Sequence, residues 1–274
     1  MAVMGSSRKT RTISITSGKG GVGKSTITAN IAYALALQGR KVLILDGDLG
    51  MANIDIMFGT KAESNIHDLL MGEKEIQEIL TPLAPNIDLI SGGSGIVELN
   101  RMNSLERRAV VESVQSLDSQ YDYLLIDTAP GISDNVLYLN SASQMSAIVI
   151  NPDPSSIADS YALIKVLNKE YKETRFSIIC NQVRDDADGL ALFNRFNVVV
   201  SRFLFVGLDY WGSIAQDPLI RKTSQAQRLI LKHEPVSEAA KQLLNVSARL
   251  ERAMNKPSNK AGLQFFWEQV VGVA

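Results

Sequence analysis

The run Gly18-Lys19-Gly20-Gly21-Val22-Gly23-Lys24-Ser25-Thr26 brings glycines, cations and hydroxyls into one short stretch. It satisfies the spacing of a glycine, four residues, then Gly-Lys-Ser, in which backbone N–H groups turn toward phosphate oxygens. In such a loop Lys24 meets the β- and γ-phosphates, the Ser25 hydroxyl joins Mg²⁺, and the helix opening at Thr26 points its dipole at the anion. Two apolar runs end in aspartate: Tyr123-Leu124-Leu125-Ile126-Asp127 and Leu43-Ile44-Leu45-Asp46-Gly47-Asp48. At the carboxyl end of a strand, Asp127 would face the glycine loop and hold Mg²⁺, through water. Asp46 and Asp48 stand at i and i+2, so both carboxylates share one face of an extended chain and can turn toward a nucleotide. Together these residues predict binding of a nucleoside triphosphate.

Elements able to position these groups recur along the whole chain. Ile13–Ser17, Val42–Asp46, Ile87–Ser91, Tyr123–Asp127, Ala147–Asn151, Ser177–Asn181 and Phe203–Tyr210 read as strands, apolar nearly throughout, as in a parallel sheet covered on both faces. Helical patterns lie between them near residues 24–38, 104–119, 156–172 and 184–198, and a last helix runs from about Pro235 to Met254. Gly39 follows the first helix as a left-handed cap. The expected fold is α/β, a doubly wound, mostly parallel sheet of about seven or eight strands with helices on both faces. Residues 1–12 read as a flexible N-terminus, 13–254 as the domain, 255–261 as a linker, and 262–274 as an amphipathic helix.

Composition narrows the class. Of 274 residues 45% are hydrophobic and 21% charged, enough for a full core in a soluble domain, and the net charge of −1 argues against wholesale attraction to nucleic acid. Met1–Thr12 carries no apolar leader core, and no run is apolar for the length of a membrane span, so the cytoplasm is the expected location. The single cysteine, Cys180, lies in an expected strand and reads as a core residue; it allows neither an intrachain disulfide nor a cysteine-only metal site. His67 and His233 lack ligand spacing.

With its early lysine, the form Lys-Gly-Gly-Val-Gly-Lys-Ser-Thr resembles the deviant P-loop (deviant Walker A) of the MinD/ParA ATPases. The resemblance covers residues 10 to 255 and implies ATP and Mg²⁺ as ligands, an ATP-dependent homodimer, and slow hydrolysis of ATP. By that likeness Lys19 reaches the partner subunit's phosphates, where a cation delivered in trans offsets charge on the transferred phosphoryl. Asp46 helps the metal, and Asp48 positions and polarises the attacking water. Asn181 meets adenine, and the loop Gly212-Ser213-Ile214-Ala215-Gln216-Asp217-Pro218 closes over the base. Asp153 and Ser155 lie at the dimer interface; the competing reading makes them a helix N-terminus with Ser155 as its cap.

Asp48-Leu49-Gly50-Met51-Ala52-Asn53-Ile54-Asp55 and the segment from Asp153 to Lys165 look most like the FlhG branch (FleN, YlxH) of that family, which sets flagellar number and placement. The tail Gly262-Leu263-Gln264-Phe265-Phe266-Trp267-Glu268-Gln269-Val270-Val271 is similar to that branch's membrane-binding helix. Leu263, Phe266, Trp267, Val270 and Val271 form one apolar stripe, suited to a bilayer interface or a partner. The likeness implies a peripheral place on the inner face of the cell membrane, and flagellar partners such as FlhF, a FleQ-type regulator or switch-complex components. Met1–Thr12 holds no Asp-Gln-Ala-x-x-Leu-Arg segment of the kind that contacts FlhF. The alternative reading is a DNA-partition or division-site ATPase: residues 215–260 hold nine Lys/Arg against four acids, but scattered helical charges favour a solvated face over DNA.

Overall fold

A computed structural model describes residues 9–49, 51–95, 99 and 102–255. In chain order they form β1 (Arg11–Thr16), α1 (Lys24–Leu37), β2 (Val42–Gly47), α2 (Ile54–Met57), α3 (Ile66–Leu70), a 3-10 turn (Ile76–Ile79), β3 (Leu80–Ala84), β4 (Ile87–Ile90), α4 (Ser104–Gln115) and β5 (Tyr123–Thr128). Then come α5 (Asp134–Ser141), β6 (Met145–Ile150), α6 (Pro154–Tyr171), β7 (Arg175–Val183), α7 (Asp186–Phe203), β8 (Gly207–Ala215), α8 (Pro218–Gln225), α9 (Ile230–His233) and α10 (Glu238–Met254).

One sheet orders the strands β3-β4-β2-β5-β1-β6-β7-β8. All its pairings are parallel except β3 with β4. Alternate residues on each strand feed opposite layers, as the period of two requires. Ile13, Ile15, Ile44, Leu125 and Ile179 pack in the layer of α1 and α10, with Ile31, Leu243 and Leu250. Leu43, Leu45, Leu124 and Ile126 face α4 through Val110 and Val114, while Ile148, Ile150 and Ile178 face α6 and α7 through Leu163 and Phe196. The expected α/β sheet covered on both faces is therefore the fold.

Several elements depart from the sequence reading. Strand β1 begins at Arg11, inside the stretch expected to be a loose N-terminus. Edge strand β3 was not expected: it is short and contains Pro82, which lacks a ladder donor and fits only an edge. The last strand is not Phe203–Tyr210 but Gly207–Ala215, because α7 continues through the β-branched run Val198–Val200 to Phe203. Helix α6 starts at Pro154 and is capped by Asp153, not Ser155: the Asp153 carboxylate accepts from the Ser155 N–H at 2.9 Å, with proline at the first helical position. Gly39 takes the expected left-handed conformation, φ 78°.

Candidate nucleotide site

Parallel pairing sets the site before any side chain is considered. In the β2–β5 register Asp46 stands directly opposite Asp127, and in the β1–β5 register Asp127 stands opposite Ile15, one residue from the end of β1. The glycine loop and both aspartate motifs thus leave the same edge of the sheet, as the crevice rule for open α/β sheets expects.

Two glycines of the loop are fixed by close approach. Gly23, the N-cap of α1, has φ 94°, and a Cβ there would lie 2.3 Å from Asn181 Nδ2. Gly18 packs so tightly on α6 that a Cβ would sit 2.1 Å from the Asp159 carbonyl carbon. Val22 is buried, while Gly20 and Gly21 are open to solvent. Ser25 and Thr26, in the first turn of α1, are half-buried.

Lys24 is 7% exposed. Burial lowers its pKa, and Asp127, Asp48 and Asp46 pull it back up. Asp127 is 1% exposed; its Oδ1 accepts from the Thr28 hydroxyl at 3.1 Å, and its Oδ2 is buried with no hydrogen-bond partner. Burial raises this carboxyl's pKa against the Ser25 hydroxyl and the Lys24 ammonium. Asp46 is buried too, but hydrogen-bonded on both oxygens: Oδ2 accepts from the N–H of Asn53 (2.9 Å) and Ile54 (3.1 Å), and Oδ1 from that of Asp48 (3.2 Å). Desolvation, then the neighbouring Asp127 charge, raises its pKa. Asp48 is half-buried, and burial raises its pKa against Lys24.

An orphaned carboxylate oxygen next to a serine hydroxyl is a hard, all-oxygen donor set, which suits Mg²⁺. Ser25 and Asp127 are therefore the residues best placed to hold the ion. Asp46 gives both Oδ2 acceptor sites to the loop after β2 and, through Oδ1, accepts from Asp48 N–H beside the site.

Lys19 occupies a different place. Its Nζ lies 2.6 Å from Asp153 Oδ2 and 2.6 Å from Ser155 Oγ, with the side chain 39% exposed. The Lys19 ammonium, then Ser155, holds the Asp153 carboxyl well below the usual range. The structure therefore brings Lys19, Asp153 and Ser155 together within one subunit.

Asn181 and Asp217 line an open cleft of about 560 Å³ beside Gly23 and Thr26. Asn181 Nδ2 is committed to the Val22 carbonyl (2.7 Å), and the Asp217 carboxylate caps α8 by accepting from Leu219 N–H (2.8 Å). Both side chains serve the protein's own backbone.

Two contributors went unrecognised in the sequence. Thr28 lies one helical turn beyond Lys24, a spacing that could have flagged it. Gln182, at φ 57°, donates to the Gly21 carbonyl at 3.3 Å and accepts from Asn151 Nδ2 at 2.8 Å; nothing local in the sequence marks that contact. Leu263, Phe266, Trp267 and Val270, expected to bind a membrane, and residues 256–261 before them lie outside the described residues. Among the described residues no helix is long and apolar enough to cross a membrane.

Fold and site together define a P-loop nucleoside triphosphatase. More closely, the chain belongs to the ParA/MinD family, whose ParA description, "NUBPL iron-transfer P-loop NTPase", matches residues 8–251. It is 34% identical over 272 residues to the antiactivator FleN of Pseudomonas aeruginosa, covering 99% of this chain and 97% of that protein. It is 36% identical over 268 residues to the flagellum site-determining protein YlxH of Helicobacter pylori, covering 96% and 90%. A structure of the septum site-determining protein MinD with Mg-ADP from Pyrococcus horikoshii superposes with a TM-score of 0.75 at 28% identity, over 90% of this chain and 98% of that one. The iron-transfer part of the family description has no paired thiols to rest on: Cys180 is the one cysteine, buried in β7, where burial pushes its thiol up to about 12.

Proposed function

We propose that this chain is an ATP-hydrolysing switch that dimerises with Mg²⁺ and ATP and controls flagellar number or placement. The cargo follows from its likeness to proteins named antiactivator FleN and flagellum site-determining protein YlxH. The mechanism rests on one observation: this deviant P-loop has two lysines, and only Lys24 is buried among the acids of its own site. Lys19 instead stands at the surface, ion-paired to Asp153.

In the proposed cycle Lys24 and the loop amides bind the phosphates, while Ser25 and Asp127 hold Mg²⁺, assisted by Asp46. The bound ion supplies a Lewis acid that draws charge from the phosphoryl oxygens. Lys19 leaves Asp153 and Ser155 to complete the partner's site. Asp48, its pKa raised by burial, accepts from and aligns the attacking water. Asn181 and the Asp217 loop frame adenine in the cleft. Dimerisation reorganises residues 262–274, whose apolar stripe then binds the inner face of the cell membrane, so the protein cycles between cytoplasm and membrane. Flagellar assembly or regulatory proteins would read the dimer.

Light scattering on Asp48→Ala tests the core of this reading. The mass should double with ATP–Mg²⁺ but not in the apo or ADP forms, with turnover reduced roughly 100-fold. A mass indifferent to nucleotide would sink the switch. Binding of the ATP dimer to DNA with steep salt dependence would favour a partition role instead.

A further inference from the structure

Beneath the glycine loop lies a polar cluster that no ligand can reach. Ser14, Thr16, Thr128 and Asn140 are all 0% exposed, and Ser146 is 4% exposed. The Thr16 hydroxyl lies 2.8 Å from the Thr128 hydroxyl and accepts from Asn140 Nδ2 at 3.2 Å. The same amide nitrogen donates to the Val136 carbonyl at 2.8 Å, and Asn140 Oδ1 accepts from the Ser14 hydroxyl at 2.8 Å. Ser14 in turn lies 3.0 Å from the Ser146 hydroxyl. Groups this deep are costly unless paired, and in a low dielectric each bond in such a network stiffens the others.

The position of the cluster matters more than its size. Residues 129–133 join β5 to α5 directly after Thr128, the neighbour of Asp127, where a P-loop protein senses the γ-phosphate. Thr128 enters that loop and Asn140 lies near the C-terminal end of α5, the helix that follows it; both meet the same atom, Thr16 Oγ1. Thr16 ends β1, two residues ahead of Gly18. The middle of the loop is tied nearby, since Gly131 N–H donates to the Ser17 carbonyl at 2.9 Å. Entry and centre of the loop, and the far end of the helix that follows it, thus all hang on Thr16 and Ser17. A shift of this loop must either carry the root of the glycine loop with it or break hydrogen bonds that water cannot replace.

We infer that Thr16 is a positioning residue that transmits the state of the 129–133 loop to the phosphate cradle, through a hydroxyl shared by Thr128 and Asn140. This rests on the nucleotide-switch reading above. The hydroxyl makes the protein distinguish triphosphate from diphosphate; it does not itself bind either.

The test compares Thr16→Val, which keeps the shape and removes the hydroxyl, with Thr16→Ser, which keeps it. Affinities for ADP and for a non-hydrolysable ATP analogue, both with Mg²⁺, are measured alongside kcat and KM. In Thr16→Val the preference for the triphosphate should fall roughly tenfold. Its kcat should fall as well, with ADP affinity within about twofold of wild type, so that the lost preference appears as weaker binding of the triphosphate and a KM for ATP raised in step. Thr16→Ser should restore both. If Thr16→Val does not fold, Thr128→Val opens the same junction from the other side and should show the same loss. A preference unchanged in a folded Thr16→Val would overturn the inference, as would a Thr16→Ser as defective as the valine variant. If the wild-type protein neither hydrolyses ATP nor distinguishes the two nucleotides, the switch reading fails, and this inference with it.

Discussion

Two lysines of one loop, Lys19 and Lys24, meet opposite environments. Lys24 is buried, and its pKa is set by desolvation against three aspartates. The Lys19 side chain is 39% exposed, and its ammonium meets Asp153 and Ser155 at the corner that caps α6. A buried charge surrounded by acids is committed to its own pocket, because moving it would strand those acids. An exposed ion pair is worth little and is easily exchanged. The loop thus combines one fixed cation and one transferable cation, and the difference lies in their surroundings.

The largest expected effect tests the fixed one. Lys24→Ala should weaken Mg–ATP binding by roughly 100-fold or more, the loss of two charge-assisted hydrogen bonds, as titration calorimetry would read. Lys19→Ala should sharpen the contrast by leaving affinity within about threefold while kcat falls roughly 100-fold, the scale for losing one transition-state donor. Equal losses of affinity in the two variants would erase the distinction between them.

The acids around Lys24 give a smaller, pH-dependent effect. Burial raises the pKa of Asp46 and Asp127, so the folded chain keeps protons that the unfolded chain releases. Stability of the nucleotide-free protein should therefore fall as pH climbs from about 4 toward neutrality. Mg–nucleotide should flatten that slope, which melting curves from pH 5 to 8 would show; a rising melting temperature without ligand would contradict the buried-acid picture. The smallest effect belongs to the exposed pair. Asp153→Asn should leave the melting temperature almost unmoved, as surface ion pairs usually do. A clear drop would make Lys19 a strut of the resting fold.

The contrast also marks what the sequence could disclose. Lys24, Ser25 and Asp127 were readable because loop and strand end are local patterns whose chemistry follows from spacing. That Asp46 sits opposite Asp127 depends on β2 pairing with β5, a partnership across distant chain segments. So does the division of labour between them, one carboxylate held on both oxygens by backbone N–H groups and the other left with an oxygen that has no hydrogen-bond partner. Strand β8 was misplaced because Phe203-Leu204-Phe205-Val206 looks like a buried run, whereas Phe205 is fully exposed. The Thr16 junction was invisible, since serine, threonine and asparagine in strands and helices carry no local signal of burial.

Helix α1, which carries Lys24 and Ser25, has a consequence for how the protein is made. It is buried nearly all round: Ile27 and Ile31 lie in one core layer with Leu243, Val246 and Leu250 of α10, and Asn30 Oδ1 accepts from the Leu231 N–H just before that helix. A helix with apolar residues on every side has no stable face to show water, so α1 stays aggregation-prone until α10 arrives. On the ribosome, the first helix made would wait for the last described one before its sticky surface is covered. Nascent chains stalled before α10 should therefore need a chaperone, and a message truncated there should yield inclusion bodies and no weakened enzyme.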